Sequence, residues 1–255
     1  MKTIVLLFCV SLCFSIVTQA QLKEISYVDG NQKLTGLGLL PKKNNENKAG
    51  VLILPAWKGI DNHAKETAQQ LADLGYYTFV ADIYGEGNYP KNTKEAGEQA
   101  GFYKKNIDKY QTRIRLALEQ LINQGANPKK IVIIGFCFGG TGALEAARAN
   151  FPVAGVVSFH GGLSKDSTRE VKEIKTKILV CHGADEIYVP HDEVMAFQKE
   201  MHDAKADYQM IYYANAVHAF TDPEAGNDNA TGAAYNKKAA DRSWQHFLLF
   251  LNEVL

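Results

Sequence analysis

Residues Gly135-Phe136-Cys137-Phe138-Gly139 set one thiol two positions from a glycine on either side. The β-branched run Ile131 to Ile134 leads into them, and the helix-forming stretch Thr141 to Asn150 follows. This is the layout of a sharp strand-to-helix turn that lifts one reactive side chain above the sheet edge. Glycine suits both flanking positions, because a side chain there would meet the neighbouring strand or helix. The thiol is a candidate nucleophile, with a buried structural cysteine as the alternative. A cysteine nucleophile needs a base to form thiolate and an acid to orient that base. The segments His182-Gly183-Ala184-Asp185-Glu186 and Ala216-Val217-His218-Ala219-Phe220 supply both types, each just past a predicted strand. Open α/β sheets place their sites at such strand ends.

The elements that must carry these residues follow from pattern. Leu22 to Val28 and Leu34 to Leu40 read as a hairpin turning at Asp29-Gly30-Asn31. Gly50 to Leu54, Tyr76 to Ala81, Ile131 to Ile134, Val153 to Phe159 and Lys177 to Cys181 are short apolar runs of the kind buried on both faces of a sheet. Tyr208 to Tyr213 is a further strand. Between the runs lie a helix capped by Asp61 or Asn62 and ending at Gly75, one long helical region before Pro128, and a helix from Asp192 to His202. A closing helix carries Trp244, Phe247, Leu248 and Leu251 on one core face. Strands alternating with helices predict an α/β fold with a mostly parallel sheet and an antiparallel start. With no internal repeat and no linker, residues 21–255 read as one domain.

Residues 1–20 read as a secretory signal peptide: Lys2, an apolar stretch from Ile4 to Val17, and the small-residue pattern Thr18-Gln19-Ala20. Cleavage before Gln21 would export the protein and leave two of its 4 cysteines, Cys137 and Cys181, too few for a disulfide scaffold. With 28 basic and 28 acidic residues, the chain has no net field to attract nucleic acid or an anionic membrane. No histidine spacing suits a metal, and the glycines after Ile134 do not match a nucleotide-binding loop, so no cofactor is expected. His63, His191, His202 and His246 read as surface or helix residues. His160 reads as a hydrogen-bonded structural histidine. Asp82 is expected to cap amides of its own loop.

The order nucleophile, acid, base matches that of α/β-hydrolases. Together with the loop at Trp57, Ala81-Asp82-Ile83-Tyr84-Gly85-Glu86-Gly87, the Gly-Phe-Cys-Phe-Gly-Gly turn and Val157-Ser158-Phe159-His160-Gly161-Gly162, it makes the chain resemble the dienelactone hydrolase family. The resemblance implies Cys137 as nucleophile, His218 as base, and an oxyanion hole formed by the backbone N–H groups of Phe138 and Trp57. The family pattern His-Gly-x-x-Asp-x-x-Val puts Glu186 at the acid position, with Asp185 as the neighbouring alternative. Tyr84, Tyr188 and Phe220 are expected to line a substrate pocket.

Two departures from the family stand out. Ala56 replaces a glutamate that acts on the resting cysteine in many members. Glu86 and Asp222 occupy neighbourhoods where the named enzyme has carboxylate-binding arginines. The expected reaction is hydrolysis of a small-molecule ester or lactone through an acyl-thioester. The alternative is a decayed fold that binds a small ligand or a cell-envelope partner.

Overall fold

The computed structural model describes residues 22–43 and 45–255. The expected leader, residues 1–20, lies outside the described residues. Among the described residues, eight strands form one sheet: β1 (Lys23–Asp29), β2 (Gln32–Leu39), β3 (Gly50–Leu54), β4 (Tyr77–Val80), β5 (Ile131–Phe136), β6 (Gly155–Phe159), β7 (Lys177–Gly183) and β8 (Tyr208–Tyr213). Their spatial order is β1-β2-β4-β3-β5-β6-β7-β8. The β1–β2 hairpin is antiparallel and joins β4 antiparallel, while every pairing from β4 to β8 is parallel. The helices are α1 (Asn62–Leu74), α2 (Thr93–Lys105), α3 (Ile107–Asn123), α4 (Phe138–Arg148), α5 (His191–Asp203) and α6 (Lys237–Val254).

The continuous apolar runs are explained by burial on both faces. Along β3, Leu52 and Leu54 join the core under α3, α4 and α5, while Val51 and Ile53 join the core under α1 and α6. On β5, Ile131 and Ile133 alternate with Val132 and Ile134 in the same way. Each of these side chains is fully buried, and each such burial stabilises by about 1.5–3 kcal/mol. On α6, Phe247 and Leu251 are buried in the second core, and Trp244 and Leu248 pack partly buried against it.

Asp61 is the residue that caps α1, its carboxylate accepting from the Ala64 N–H at 2.8 Å. Gly75 ends that helix at φ 106°, a left-handed conformation that glycine adopts without strain. The long helical region before Pro128 is two helices, broken at Asn106 (φ −113°, ψ 67°). The Asn106 side chain donates to the Phe102 carbonyl at 2.8 Å, competing locally with the backbone ladder.

Candidate active site

Cys137 stands between β5 and α4 with φ 53° and ψ −113°, a conformation that L-residues rarely adopt. Three contacts impose it. The Cys137 N–H donates to the Phe159 carbonyl of β6 at 3.0 Å. A side chain on Gly135 would lie 1.9 Å from the Gly139 carbonyl oxygen, and one on Gly139 would lie 2.0 Å from that of Leu54. The two glycines therefore let the turn close against its own helix and against β3.

The structure brings Cys137 and His218 together across 81 residues of sequence: His218 Nε2 is 3.0 Å from Cys137 Sγ. On the other side of the ring, His218 Nδ1 is 2.7 Å from Glu186 Oε2. The Glu186 side chain is buried, and its second oxygen accepts from the Tyr188 N–H at 2.8 Å. Asp185 is exposed and its backbone N–H bonds to the Ala216 carbonyl, so Glu186 is the carboxylate that meets the imidazole. The loop carrying His218 is clamped by the segment after it. His218 N–H donates to the Gly232 carbonyl, and Ala234 N–H donates back to the His218 carbonyl.

Burial opposes the charged forms of both groups, but their mutual hydrogen bond wins. Despite desolvation, the bond from His218 brings the Cys137 thiol below its ordinary value. His218 is likewise desolvated, yet its bonds to Cys137 and Glu186 raise its pKa to about 10. Both shifts run in the direction of a thiolate–imidazolium pair. Cys181 is the contrast: fully buried in β7, its thiol is pushed up to about 12. Iodoacetamide is accordingly expected to modify Cys137 rapidly at pH values below the ordinary thiol range, about 8.5, and to leave Cys181 untouched. Mass spectrometry of the two cysteine peptides across a pH series checks this. Equal modification of both, or a Cys137 profile centred at the ordinary value, would count against the pair.

The Phe138 N–H, at the first position of α4, faces the Cys137 sulfur. Among the described residues, the Trp57 N–H has no protein acceptor. Tyr188 is 57 % exposed and stands edge-on to the His218 ring at 5.3 Å. The expected pocket roles of Phe220 and Tyr84 need correction. Phe220 is fully buried, packed between Tyr213 and His160, because the residue after next to His218 turns back into the α6 core. Tyr84 is 2 % exposed, and its hydroxyl is committed to the Trp57 carbonyl at 2.7 Å.

His160 is buried, with Nε2 2.8 Å from Thr221 Oγ1 and its ring 5.2 Å from that of His218. Burial, and then the neighbouring His218, hold its pKa well below the usual histidine value, so it packs as a neutral ring. His63 is a helix residue, at the second position of α1, and is half-buried: its Nε2 is 3.1 Å from the same Thr221 hydroxyl, and its ring meets Phe136 edge-on at 4.4 Å. Residues 158 and 61 positions apart meet at Thr221, a convergence that no local pattern announces. Asp82 does cap its loop, accepting from the Gly85 N–H at 2.8 Å, and it also accepts from Tyr89 and from the Thr35 N–H. Glu86 is engaged with Lys33 and Thr35, and Asp222 with the Glu224 N–H.

A mostly parallel sheet flanked by helices, with a strained strand-to-helix turn after β5, defines an α/β-hydrolase fold. A dienelactone hydrolase-like promiscuous phosphotriesterase from metagenomic libraries superposes with a TM-score of 0.86 at 33% identity, covering 92% of this chain and 99% of that one. Residues 35–255 match the dienelactone hydrolase family, and the chain belongs to that family of ester and lactone hydrolases. An uncharacterized protein of Caenorhabditis elegans is 34% identical over 57% of this chain and 94% of its own length. A candidate carboxymethylenebutenolidase of Aquifex aeolicus is 28% identical over 80% of this chain and 88% of its own.

Proposed function

We propose that the protein hydrolyses a carboxylic ester or lactone through an acyl-thioester on Cys137. The observation that carries this reading is the pair of contacts made by one imidazole, 3.0 Å to the thiol and 2.7 Å to a buried carboxylate. In this reading the Cys137 thiolate attacks the substrate carbonyl. The oxygen that becomes negative is held by the N–H groups of Phe138 and Trp57, at the positive end of α4. As the tetrahedral species collapses, the C–O bond breaks and His218 Nε2 gives its proton to the departing alkoxide. In a lactone that alkoxide stays tethered to the acyl group. Water then attacks the thioester, His218 Nε2 takes its proton, and the second collapse expels thiolate and frees the acid. Glu186 keeps Nδ1 protonated, directs the ring, and balances its charge.

The binding-module alternative is not favoured, since a retained ligand site would not need this alignment of thiol, base and acid. The substrate stays at the level of the bond cleaved, because the carboxylate-binding arginines of the named enzyme have no counterpart at Glu86 and Asp222. The test is acid quenching of the enzyme during turnover of p-nitrophenyl acetate. The expected result is a burst of nitrophenol and an acetyl group on the Cys137 peptide. Hydrolysis without acetylation of that peptide would overturn the thioester route.

A further inference from the structure

We infer that Tyr84 is a positioning residue that fixes both N–H donors of the oxyanion hole in one rigid frame. This rests on the hydrolase reading above and gives a task to a side chain that the pocket assignment does not explain. The Trp57 N–H and the Ala56 carbonyl belong to one planar trans peptide, so whatever pins the carbonyl aims the N–H the opposite way. The Ala56 carbonyl is pinned by the Gly59 N–H at 3.0 Å. The next carbonyl, that of Trp57, is pinned by the Tyr84 hydroxyl at 2.7 Å. With both peptide planes on either side of the Trp57 Cα held, the Trp57 N–H is kept in one direction.

Tyr84 reaches the second donor through its ring. It stacks on Phe138 with centroids 5.8 Å apart and planes at 19°. Phe138 in turn lies parallel to Tyr110 at 4.5 Å and 1°, and the Tyr110 hydroxyl donates to the Phe138 carbonyl at 2.9 Å. The residue whose N–H opens α4 is thereby held from its side chain and from its carbonyl. Tyr84 is itself anchored from below, since the Asp82 carboxylate holds the Gly85 N–H and Asp82 is buried. Burial, followed by the nearby Cys137, raises the Tyr84 hydroxyl far above its ordinary pKa, which keeps it a neutral donor.

The experiment compares wild type with Tyr84→Phe, which keeps the stacked ring and removes only the hydroxyl. Alkylation of Cys137 by iodoacetamide is displacement at a tetrahedral carbon and builds no oxyanion, so its rate is expected to stay within about twofold. Butanal adds to the thiolate as a thiohemiacetal whose oxygen sits where the oxyanion would. The butanal concentration that half-protects Cys137 from iodoacetamide is expected to rise about tenfold in the variant. On p-nitrophenyl acetate, kcat is expected to fall by a similar factor with KM unchanged. Unchanged half-protection overturns the inference, as does a loss of alkylation in parallel with protection, which would mean simple disruption of the site. The aldehyde arm needs no ester turnover. Absence of hydrolysis by wild type would therefore sink the proposed function and still leave this inference decided.

Discussion

Alanine at Cys137 or at His218 is expected to lower kcat/KM for p-nitrophenyl acetate by at least about 10³-fold, with the double variant no worse than either alone. The two side chains act as one unit across a 3.0 Å contact, so removing either leaves only substrate binding and oxyanion stabilisation. The single variants differ in what remains. His218→Ala keeps a thiol that has lost the partner responsible for its lowered pKa, so residual alkylation should move to higher pH. Cys137→Ala keeps the histidine and its glutamate but has nothing to acylate. Steady-state kinetics on the three proteins, with circular dichroism to verify folding, checks the prediction. Single variants near wild-type rates, or a double variant showing the product of two losses, would rule out a joint role.

The largest expected effect on stability lies in a buried ionic cluster away from the thiol. Arg148, near the end of α4, donates from Nε and Nη2 to the two oxygens of Glu200 on α5 at 2.9 and 2.8 Å. Its Nη1 donates to Glu145 one turn back at 2.9 Å, and Nη2 also reaches the Leu163 carbonyl at 2.7 Å. Both carboxylates are buried, and Arg148→Met leaves Glu200 without its cation in a poorly solvated interior, while Glu145 keeps Arg169 at 2.8 Å. That should cost about 3–5 kcal/mol. In urea the midpoint should fall while the slope stays constant. Adding Glu200→Gln to the same protein should restore part of the loss, because the stranded charge goes with it. A loss for Arg148→Met no larger than that of an exposed pair, about 1 kcal/mol, would show that water reaches the cluster.

What could be seen in the sequence was whatever depends on near neighbours. The five apolar residues of β3 and the β-branched run of β5 announce strands buried on both faces, and both lie where expected. The glycines around Cys137 announce a turn because their need is local: each avoids a clash with backbone only a few residues or one strand away. Counting along the segment after β7 singles out Glu186, the carboxylate found against the His218 ring. Harder to see were pairings set by the packing of distant loops. Tyr84 looks like any aromatic beside a pocket until Trp57, 27 residues away, is found accepting its hydroxyl. His63 reads correctly as a helix residue, but nothing near it announces that its imidazole meets Thr221, 158 residues on. The break at Asn106 has no glycine or proline to mark it, only an amide side chain that bonds backward to Phe102.

The order of the strands also gives the reaction a direction across the molecule. Cys137 follows β5; the Trp57 loop follows β3 on one side of it, and Glu186 and His218 follow β7 and β8 on the other. A carbonyl group seated on the sulfur under the proposed mechanism has its oxygen drawn toward β3. The bond that breaks then points toward β8, where the proton waits. Under that mechanism the alcohol half would leave past the exposed Tyr188 and Ile187, while the acyl half would stay on the sulfur. Under that mechanism, selectivity for the leaving alcohol and selectivity for the retained acid fall on different parts of this surface.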